Sequence, residues 1–246
     1  MNNYQTVEQL EKLKLHGMAL TLKTIMGMPI QQRPTFEESL AKMIENEILD
    51  KNQAHTERLL RNSKLRFKAP LEEIICSSDR NLSKEVLMAL SSCHFIEERR
   101  HVLILGKTGV GKSYLACAIG RRACQLGYKV VFLNMVKFSE SIITASLAGN
   151  YIKCIDQYMK NDLFILDDFG ICDIDEKVRL AIYQLLEGFN ENYKMSMIIT
   201  SQLPVDKWYE YLKSGSKSES ILDRLLANEH RIELTGKSMR RSTKIS

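Results

Sequence analysis

The chain has 246 residues, of which 44% are hydrophobic and 26% are charged, ordinary values for a globular protein. These values argue against a disordered or fibrous chain, and the length suffices for one large domain or a core domain with a smaller appendage. The formal net charge of +5 permits a nucleic-acid partner without requiring one.

Export and membrane insertion have no signal in the sequence. No apolar run approaches the roughly 18–20 residues that span a bilayer, and the first residues lack the basic and apolar segments of a signal peptide. We therefore expect a cytoplasmic protein with no membrane partner. The six cysteines form no C-x-x-C pair and do not stand at zinc-ligand spacing with histidine, so reduced and mostly buried thiols are expected.

Residues 1–98 have the 3.6-residue apolar period of helices and no strand pattern. Capping-box spacing predicts that two helices begin at Thr6 and Thr35, and Gly27 is expected to end the first of them. Two shorter helices are predicted to follow, around residues 70–76 and 83–90. This part of the chain is therefore predicted to be a helical N-terminal domain.

From residue 101 short apolar strands alternate with helical stretches, which indicates an α/β core with a parallel sheet covered on both faces. The strands are predicted over residues 102–105, 130–133, 163–167, 196–200 and 230–234. The helices are predicted over residues 112–126, 135–147, 151–160, 175–192 and 219–227. The sequence thus predicts two domains, 1–98 and 99–246.

The loop after the first predicted strand carries the strongest chemical signal. Residues 106–113 match the phosphate-loop pattern G-x-x-x-x-G-K-[ST] and lie between a predicted strand and a predicted helix. In this pattern Lys112 reaches the β- and γ-phosphates and the Ser113 hydroxyl ligates Mg²⁺, so ATP and Mg²⁺ are the expected cofactors. The predicted nucleotide-binding residues are Gly106, Lys107, Thr108, Gly109, Val110, Gly111, Lys112, Ser113 and Tyr114.

Two adjacent carboxylates end the predicted strand 163–167. A buried strand that delivers an aspartate at its carboxyl end suits a second Mg²⁺-holding group, and we assign this role to Asp167 alongside Ser113. The next residue, Asp168, is predicted to activate the water that attacks the γ-phosphate.

Two further polar positions complete the predicted site. The strand 196–200 leads into polar residues, of which Gln202 is the preferred sensor of the γ-phosphate, with Thr200 and Ser201 as alternatives. Arg224 lies on an otherwise apolar predicted helix. It could cover the core as a surface residue, or it could be an arginine finger offered to ATP on the next subunit, and periodicity does not decide between them.

Positive charge is concentrated in two stretches. Residues 51–68 are rich in Lys and Arg and contain one acid, and residues 236–246 contain four basic side chains and no acid. Together with a nucleotide switch, these stretches favour binding to phosphate backbones. Because no base-reading element is visible, we expect binding to double-stranded DNA with little sequence specificity.

The whole pattern resembles the IstB-type transposition helper ATPases of bacterial insertion sequences, which are relatives of the DnaC helicase loaders in the AAA+ group. The stretch that runs from Ser201–Pro204 to Ser238–Arg240 is more particular to that family than the phosphate loop and residues 167–170, which serve many ATPases. The likeness is carried by residues 13–18, 34–38, 58–61, 106–113, 166–170, 200–205, 221–225, 231–234 and 236–240.

The resemblance implies an AAA+ fold with a helical N-terminal domain and little or no C-terminal lid. It also implies an ATPase that forms an ATP-bridged homo-oligomer on target DNA and prepares that DNA for a cognate transposase. Arg224 falls on the arginine-finger position, whereas the second sensor arginine of the lid has no clear counterpart beyond Arg240 and Arg241. Relatives more often have Pro-Thr where this chain has Lys107-Thr108.

Two other functions are compatible with a phosphate loop. A DnaC-like loader of a replicative helicase would have the same ATPase and a different partner. A small phosphate-loop kinase has less support, because the arginines do not cluster where the mobile lid of such a kinase would lie.

Overall fold

The computed structural model describes residues 3–191 and 195–239. The chain divides into two compact units, Met1–Arg58 and Leu59–Ser246, whereas the sequence pattern predicts a boundary near residue 98. The division comes earlier because residues 59–98 supply buried apolar side chains to the core of the second unit. Among these side chains are Leu59, Ala69, Leu82, Leu90 and Phe95.

The described residues of the first unit are mainly helical. They form α1 (Asn3–Lys12), α2 (His16–Gly27) and most of α3 (Phe36–Ser63), which ends in the second unit. The predicted helix start at Thr6 is wrong, because α1 already includes Asn3. The first predicted helix is in fact two, since the chain turns at Lys14, whose φ is 59°.

The capping box predicted at the start of α3 is confirmed. Thr35 N–H donates to Glu38 Oε2 at 2.9 Å, and Glu38 N–H donates to Thr35 Oγ1 at 3.3 Å. These two bonds satisfy donors that a helix N-terminus otherwise leaves without partners.

The second unit contains a five-stranded parallel sheet in the order β2-β3-β4-β1-β5. Each strand lies within two residues of its predicted bounds. The strands are β1 (His101–Gly106), β2 (Val130–Asn134), β3 (Leu163–Phe169), β4 (Ser196–Ser201) and β5 (Glu229–Leu234).

Helices precede and connect these strands. They are α4 (Lys84–Ser91), α5 (His94–Glu97), α6 (Lys112–Gln125), α7 (Met135–Leu147), α8 (Tyr151–Met159), α9 (Glu176–Glu191), α10 (Trp208–Tyr211) and α11 (Ser216–Leu226). The helix predicted around 70–76 is instead a short 3₁₀ turn at Leu71–Glu73. Within the described parts of the chain, no helix combines the length and apolar character needed to cross a membrane.

The sheet separates two apolar layers because successive side chains of a strand point to opposite faces. On β1, Val102 and Ile104 pack in one layer with Leu115 of α6. Leu103 points to the other layer, where it packs with side chains such as Phe138 of α7. The sheet is therefore covered on both faces, as the alternating pattern predicts.

All six cysteines are free, and three of them are buried: Cys93, Cys117 and Cys124. Burial raises the pKa of the Cys93 thiol to about 12, because desolvation disfavours the thiolate. These thiols are packing groups of the core rather than nucleophiles.

Candidate nucleotide-binding site

The phosphate loop runs from the end of β1 to the start of α6. Gly109 and Gly111 adopt φ values of 86° and 96°, which side-chain-bearing residues rarely adopt. The Lys112 side chain is almost fully buried, and its Nζ donates to the carbonyls of Gly106 at 2.8 Å and Lys107 at 3.0 Å. The ammonium group is thus held along the inside of the loop, where a bound phosphate chain would lie.

A cavity of about 410 Å³ opens beside this loop, within the usual range of small-molecule sites. Its lining contains both polar and apolar residues. The polar or loop residues are Thr108, Gly109, Gly111, Lys112, Ser113, Asp168, Gln202, Glu73 and Arg80. The apolar and aromatic residues are Phe67, Ile74, Tyr114 and Met239.

Most of the predicted nucleotide-binding residues meet at this cavity, and three do not line it: Gly106, Lys107 and Val110. The Val110 side chain is buried in the core. Gly106 packs closely against β5, since a Cβ at this position would lie 2.3 Å from the Leu234 carbonyl oxygen. These two residues shape the loop from behind.

Asp167 and Asp168 lie in a β-bulge at the end of β3. The pairing of β3 with β4 runs in register up to Leu166 and resumes at Phe169, so both aspartates lie opposite Thr200. Asp168 has a φ of 59°. The bulge turns the two successive carboxylates in different directions: Asp167 is fully buried, whereas Asp168 lines the cavity.

The Thr200 hydroxyl holds both residues of this bulge. It donates to Asp167 Oδ1 at 2.6 Å and accepts from the Asp168 backbone N–H at 2.9 Å. The side chain of Thr200 is itself fully buried. Thr200 was predicted as an alternative sensor, but its contacts in the structure are those of a residue that positions the two carboxylates.

The Asp167 carboxylate combines burial with an incomplete set of partners. Burial raises its pKa, and hydrogen bonds from Thr200 and Ser113 and the charge of Arg66 act in the opposite direction. Among the described residues its buried Oδ2 has no hydrogen-bond partner, although Arg66 Nη1 lies 3.8 Å away. A buried carboxylate whose Oδ2 accepts no hydrogen bond from the described residues, on a residue that interacts with Ser113, fits the oxygen ligands that Mg²⁺ requires.

Of the three polar residues at the end of β4 and just beyond it, only Gln202 lines the cavity. Its Oε1 accepts a hydrogen bond from Thr108 Oγ1 on the phosphate loop. The Ser201 hydroxyl is buried and donates to the Phe169 carbonyl at 2.6 Å. Gln202 is therefore the one of these three residues that faces the cavity, and its role as γ-phosphate sensor stays a prediction.

Arg224 does not line the cavity of its own chain. It lies where α11 packs on α9, and its Nη2 donates to Glu187 Oε2 at 2.7 Å. Its guanidinium also stands 5.1 Å from the centre of the Tyr183 ring, and the side chain is 24% exposed. This position allows both roles considered above, so the finger assignment stays a prediction.

Four cavity residues, Phe67, Glu73, Ile74 and Arg80, belong to no motif identified in the sequence, whereas Tyr114 was predicted. Phe67 and Tyr114 form an aromatic pair with ring centres 5.8 Å apart, and the Tyr114 hydroxyl donates to Glu73. Met239 approaches from the other end of the chain, where its N–H donates to the Gly109 carbonyl at 3.0 Å. An apolar wall of this kind can accept a nucleotide base by stacking and burial.

The two basic stretches are only partly covered by the structure. In residues 51–68 every Lys and Arg is exposed: Lys51, Arg58, Arg61, Lys64, Arg66 and Lys68. This stretch is divided between the two compact units. Residues 240–246 of the tail, including the candidate second sensors Arg240 and Arg241, lie outside the described residues.

Comparison with protein families gives one match over nearly the whole chain, to "IstB-like ATP binding protein" at residues 8–246. The putative insertion sequence ATP-binding protein y4uH of Sinorhizobium fredii is 32% identical over 241 residues, 98% of this chain and 96% of the relative. The insertion sequence IS21 putative ATP-binding protein of Pseudomonas aeruginosa is 25% identical, over 94% of this chain and 86% of the relative.

Two solved structures show the same fold at lower sequence identity. AMPPCP-bound DnaA from Aquifex aeolicus has a TM-score of 0.58 at 20% identity, over 72% of this chain and 53% of that chain. The DnaC helicase loader has a TM-score of 0.56 at 17% identity, over 70% of this chain and 99% of that chain.

Proposed function

Because the chain belongs to the IstB-like ATP-binding family, we propose that it is an ATP-dependent, DNA-binding helper of a transposase. It is an ATPase of the AAA+ type, with the parallel sheet and phosphate loop of that fold. The observation that carries the proposal is the assembled cavity, in which the phosphate loop, Asp168 of the β-bulge and Gln202 meet. The names of the insertion-sequence relatives support a role in transposition, which would take place in the cytoplasm.

The described residues divide the work of ATP hydrolysis among them. Lys112 would bind the β- and γ-phosphates, and Ser113 and Asp167 would hold Mg²⁺, which neutralises charge on the phosphates. The Asp168 carboxylate, turned into the cavity by the bulge, would accept a proton from the attacking water. Gln202 already bonds to Thr108 of the loop, so it can respond to the γ-phosphate through that contact.

Arg224 would complete the site of a neighbouring subunit in an ATP-bridged homo-oligomer. Its absence from the cavity of its own chain supports action in trans, and its side chain is partly exposed. It would have to exchange its ion pair with Glu187 for the γ-phosphate of the neighbour's ATP. ATP would then favour assembly, and hydrolysis would favour release.

Matched substitutions separate this role from a structural one. Arg224→Ala should leave ATP affinity within about twofold and lower turnover by about a thousandfold or more, the scale of arginine-finger loss. Glu187→Gln should break the same ion pair and keep most of the turnover, because the arginine remains. Equal loss of turnover in both variants would show that turnover depends on the ion pair itself. Arg224 would then be interpreted as a surface residue rather than an arginine finger.

The exposed basic side chains of residues 51–68 would hold double-stranded DNA through its phosphates, with little dependence on sequence. The logarithm of the association constant for a random duplex should fall linearly with the logarithm of the salt concentration. Replacing Lys64 and Lys68 by alanine should reduce the slope by about two. The same change at Lys160 and Lys177, which lie outside this stretch, is the matched control.

The function as a whole is tested by ATP turnover with and without duplex DNA and a cognate transposase. Stimulation by duplex, and transposition that depends on Lys112, are the expected results. If duplex neither binds nor stimulates turnover while a replicative helicase does, the DnaC-like loader becomes the better description. If Lys112→Ala keeps wild-type affinity for ATP, the phosphate-loop assignment itself is wrong.

A further inference from the structure

We propose that Arg80 is an additional nucleotide-binding residue, which contacts the α- and β-phosphates from outside the phosphate loop. The inference rests on the proposed function only in that ATP or ADP must occupy the cavity beside the loop. No motif marks Arg80, because it precedes β1 by about twenty residues and lies in an irregular segment.

The Arg80 guanidinium lies directly against the phosphate loop. Its Nη2 donates to the Val110 carbonyl at 2.8 Å, and its Nη1 donates to the Ile75 carbonyl at 2.7 Å. A Cβ on Gly111 would lie 2.9 Å from Nη2, so the glycine leaves room for the guanidinium. The side chain lines the same cavity as Lys112 and Ser113.

The segment that carries Arg80 is fixed to the sheet. Residues 77–82 form a tight turn closed by a bridge between Ser77 and Leu82, and Leu82 is buried. The Arg80 carbonyl accepts from Thr235 N–H at 3.1 Å, just after β5. Asn81 Nδ2 donates to the Glu233 carbonyl at 2.9 Å. The guanidinium is therefore positioned before any ligand arrives, which lowers the entropic cost of binding.

No carboxylate within the described residues forms an ion pair with Arg80, although Glu73 and Asp168 also line the cavity. Partial burial lowers the pKa of Arg80 because desolvation disfavours its charged form, yet an arginine remains protonated. Two of its five N–H donors serve backbone carbonyls, so a phosphate could accept from the others and compensate the charge.

The position against Gly111 selects which phosphates Arg80 would reach. The backbone of a phosphate loop surrounds the α- and β-phosphates, whereas its lysine reaches the β- and γ-phosphates. Arg80 touches the backbone of the loop rather than the region of Asp168 and Gln202. It should therefore bind ADP and ATP to the same extent, unlike a γ-phosphate sensor.

The test is calorimetric titration of ATP, ADP and adenosine into wild type, Arg80→Met and Arg80→Lys. Arg80→Met should weaken the affinities for ATP and ADP by about tenfold each and leave the affinity for adenosine unchanged. Arg80→Lys should recover part of the lost affinity. Arg100→Met, at an arginine that pairs with Glu98 at 3.3 Å, is the matched control and should bind all three like wild type.

Amide hydrogen exchange of residues 106–113, measured without nucleotide, distinguishes two roles of Arg80. In one role it contacts the phosphates directly, and in the other it only stabilises the phosphate loop. Unchanged exchange in Arg80→Met, with weakened ADP, supports direct contact. Two results would overturn the inference. One is faster exchange in the loop together with a loss of adenosine affinity equal to the loss of ADP affinity. The other is an ADP affinity of Arg80→Met within twofold of wild type. If the wild-type chain binds neither ATP nor ADP, the proposed ATPase function fails as well, so the two failures are distinguishable.

Discussion

Replacing Thr200 by valine should separate the two carboxylates of the site from the strand that positions them. The substitution preserves shape but removes the hydroxyl that donates to Asp167 and accepts from the Asp168 N–H. Because Thr200 is fully buried, water cannot take over either bond. The residue Asp168, with its positive φ, then loses the acceptor that holds its backbone.

The magnitude follows from these two bonds. A hydrogen bond to an ionised group contributes about 1.5–3 kcal/mol, and an unsatisfied buried N–H costs about 1–3 kcal/mol. Since the two terms are coupled and valine gains some apolar burial, we expect a loss of about 3 kcal/mol. For a unit of this size that corresponds to a fall in Tm of roughly 6–12 °C.

The assay can use the single tryptophan of the chain as a local reporter. Trp208 is buried, and its ring lies 4.7 Å from Phe169, the residue that directly follows the bulge. Thermal unfolding of Thr200→Val and Thr200→Ser should be followed by its fluorescence, together with ATP turnover. Serine keeps the hydroxyl and should stay close to wild type. A Tm of Thr200→Val within 2 °C of wild type, with unchanged turnover, would refute the reasoning.

Three buried positions carry further predictions. Burial lowers the pKa of His101 from 6.5 to about 4, so the unfolded state is protonated first as the pH falls. The free energy of unfolding should therefore drop by about 1.4 kcal/mol per pH unit between pH 6 and pH 4, a slope that His101→Gln should flatten in urea titrations. Asp167→Asn removes a charge whose burial is unfavourable, so the Tm at pH 7 should rise while Mg²⁺-dependent hydrolysis is lost. A Tm lower than that of wild type would contradict this prediction. Gly17→Ala places a Cβ 2.5 Å from the Asn46 carbonyl oxygen and should speed hydrogen exchange in residues 3–58 without changing ADP affinity. Exchange at the wild-type rate would show that the first unit tolerates this contact.

The sheet and its connections were predictable because their signals are local. Short apolar segments identified β1 to β4, and α7 has the bounds that its pattern predicts. The phosphate loop was equally visible, since its chemistry fixes Lys112 and Ser113 within a few residues of one another. The sequence could also place Asp167 at a strand end, because buried parallel strands are continuous apolar runs.

Features that depend on packing between distant segments were not predictable in this way. The bulge at Asp168 appears only when β3 is paired with β4, and the role of Thr200 depends on that bulge. Likewise, the apolar wall joins Phe67 to Met239, which lie far apart in the chain. No Gly or Pro stands at residues 12–15, where the chain turns at Lys14. The apolar period continues through this turn, so the sequence predicted one helix where the structure has two.

The hydrogen bond from Met239 to Gly109 also bears on how the protein should be handled. An affinity tag or fluorescent protein fused after this residue would be tethered beside the mouth of the nucleotide cavity, where it would obstruct ligand entry. Conversely, a small environment-sensitive dye attached at position 239 would stand at the wall of the cavity and report nucleotide arrival as a change in its emission.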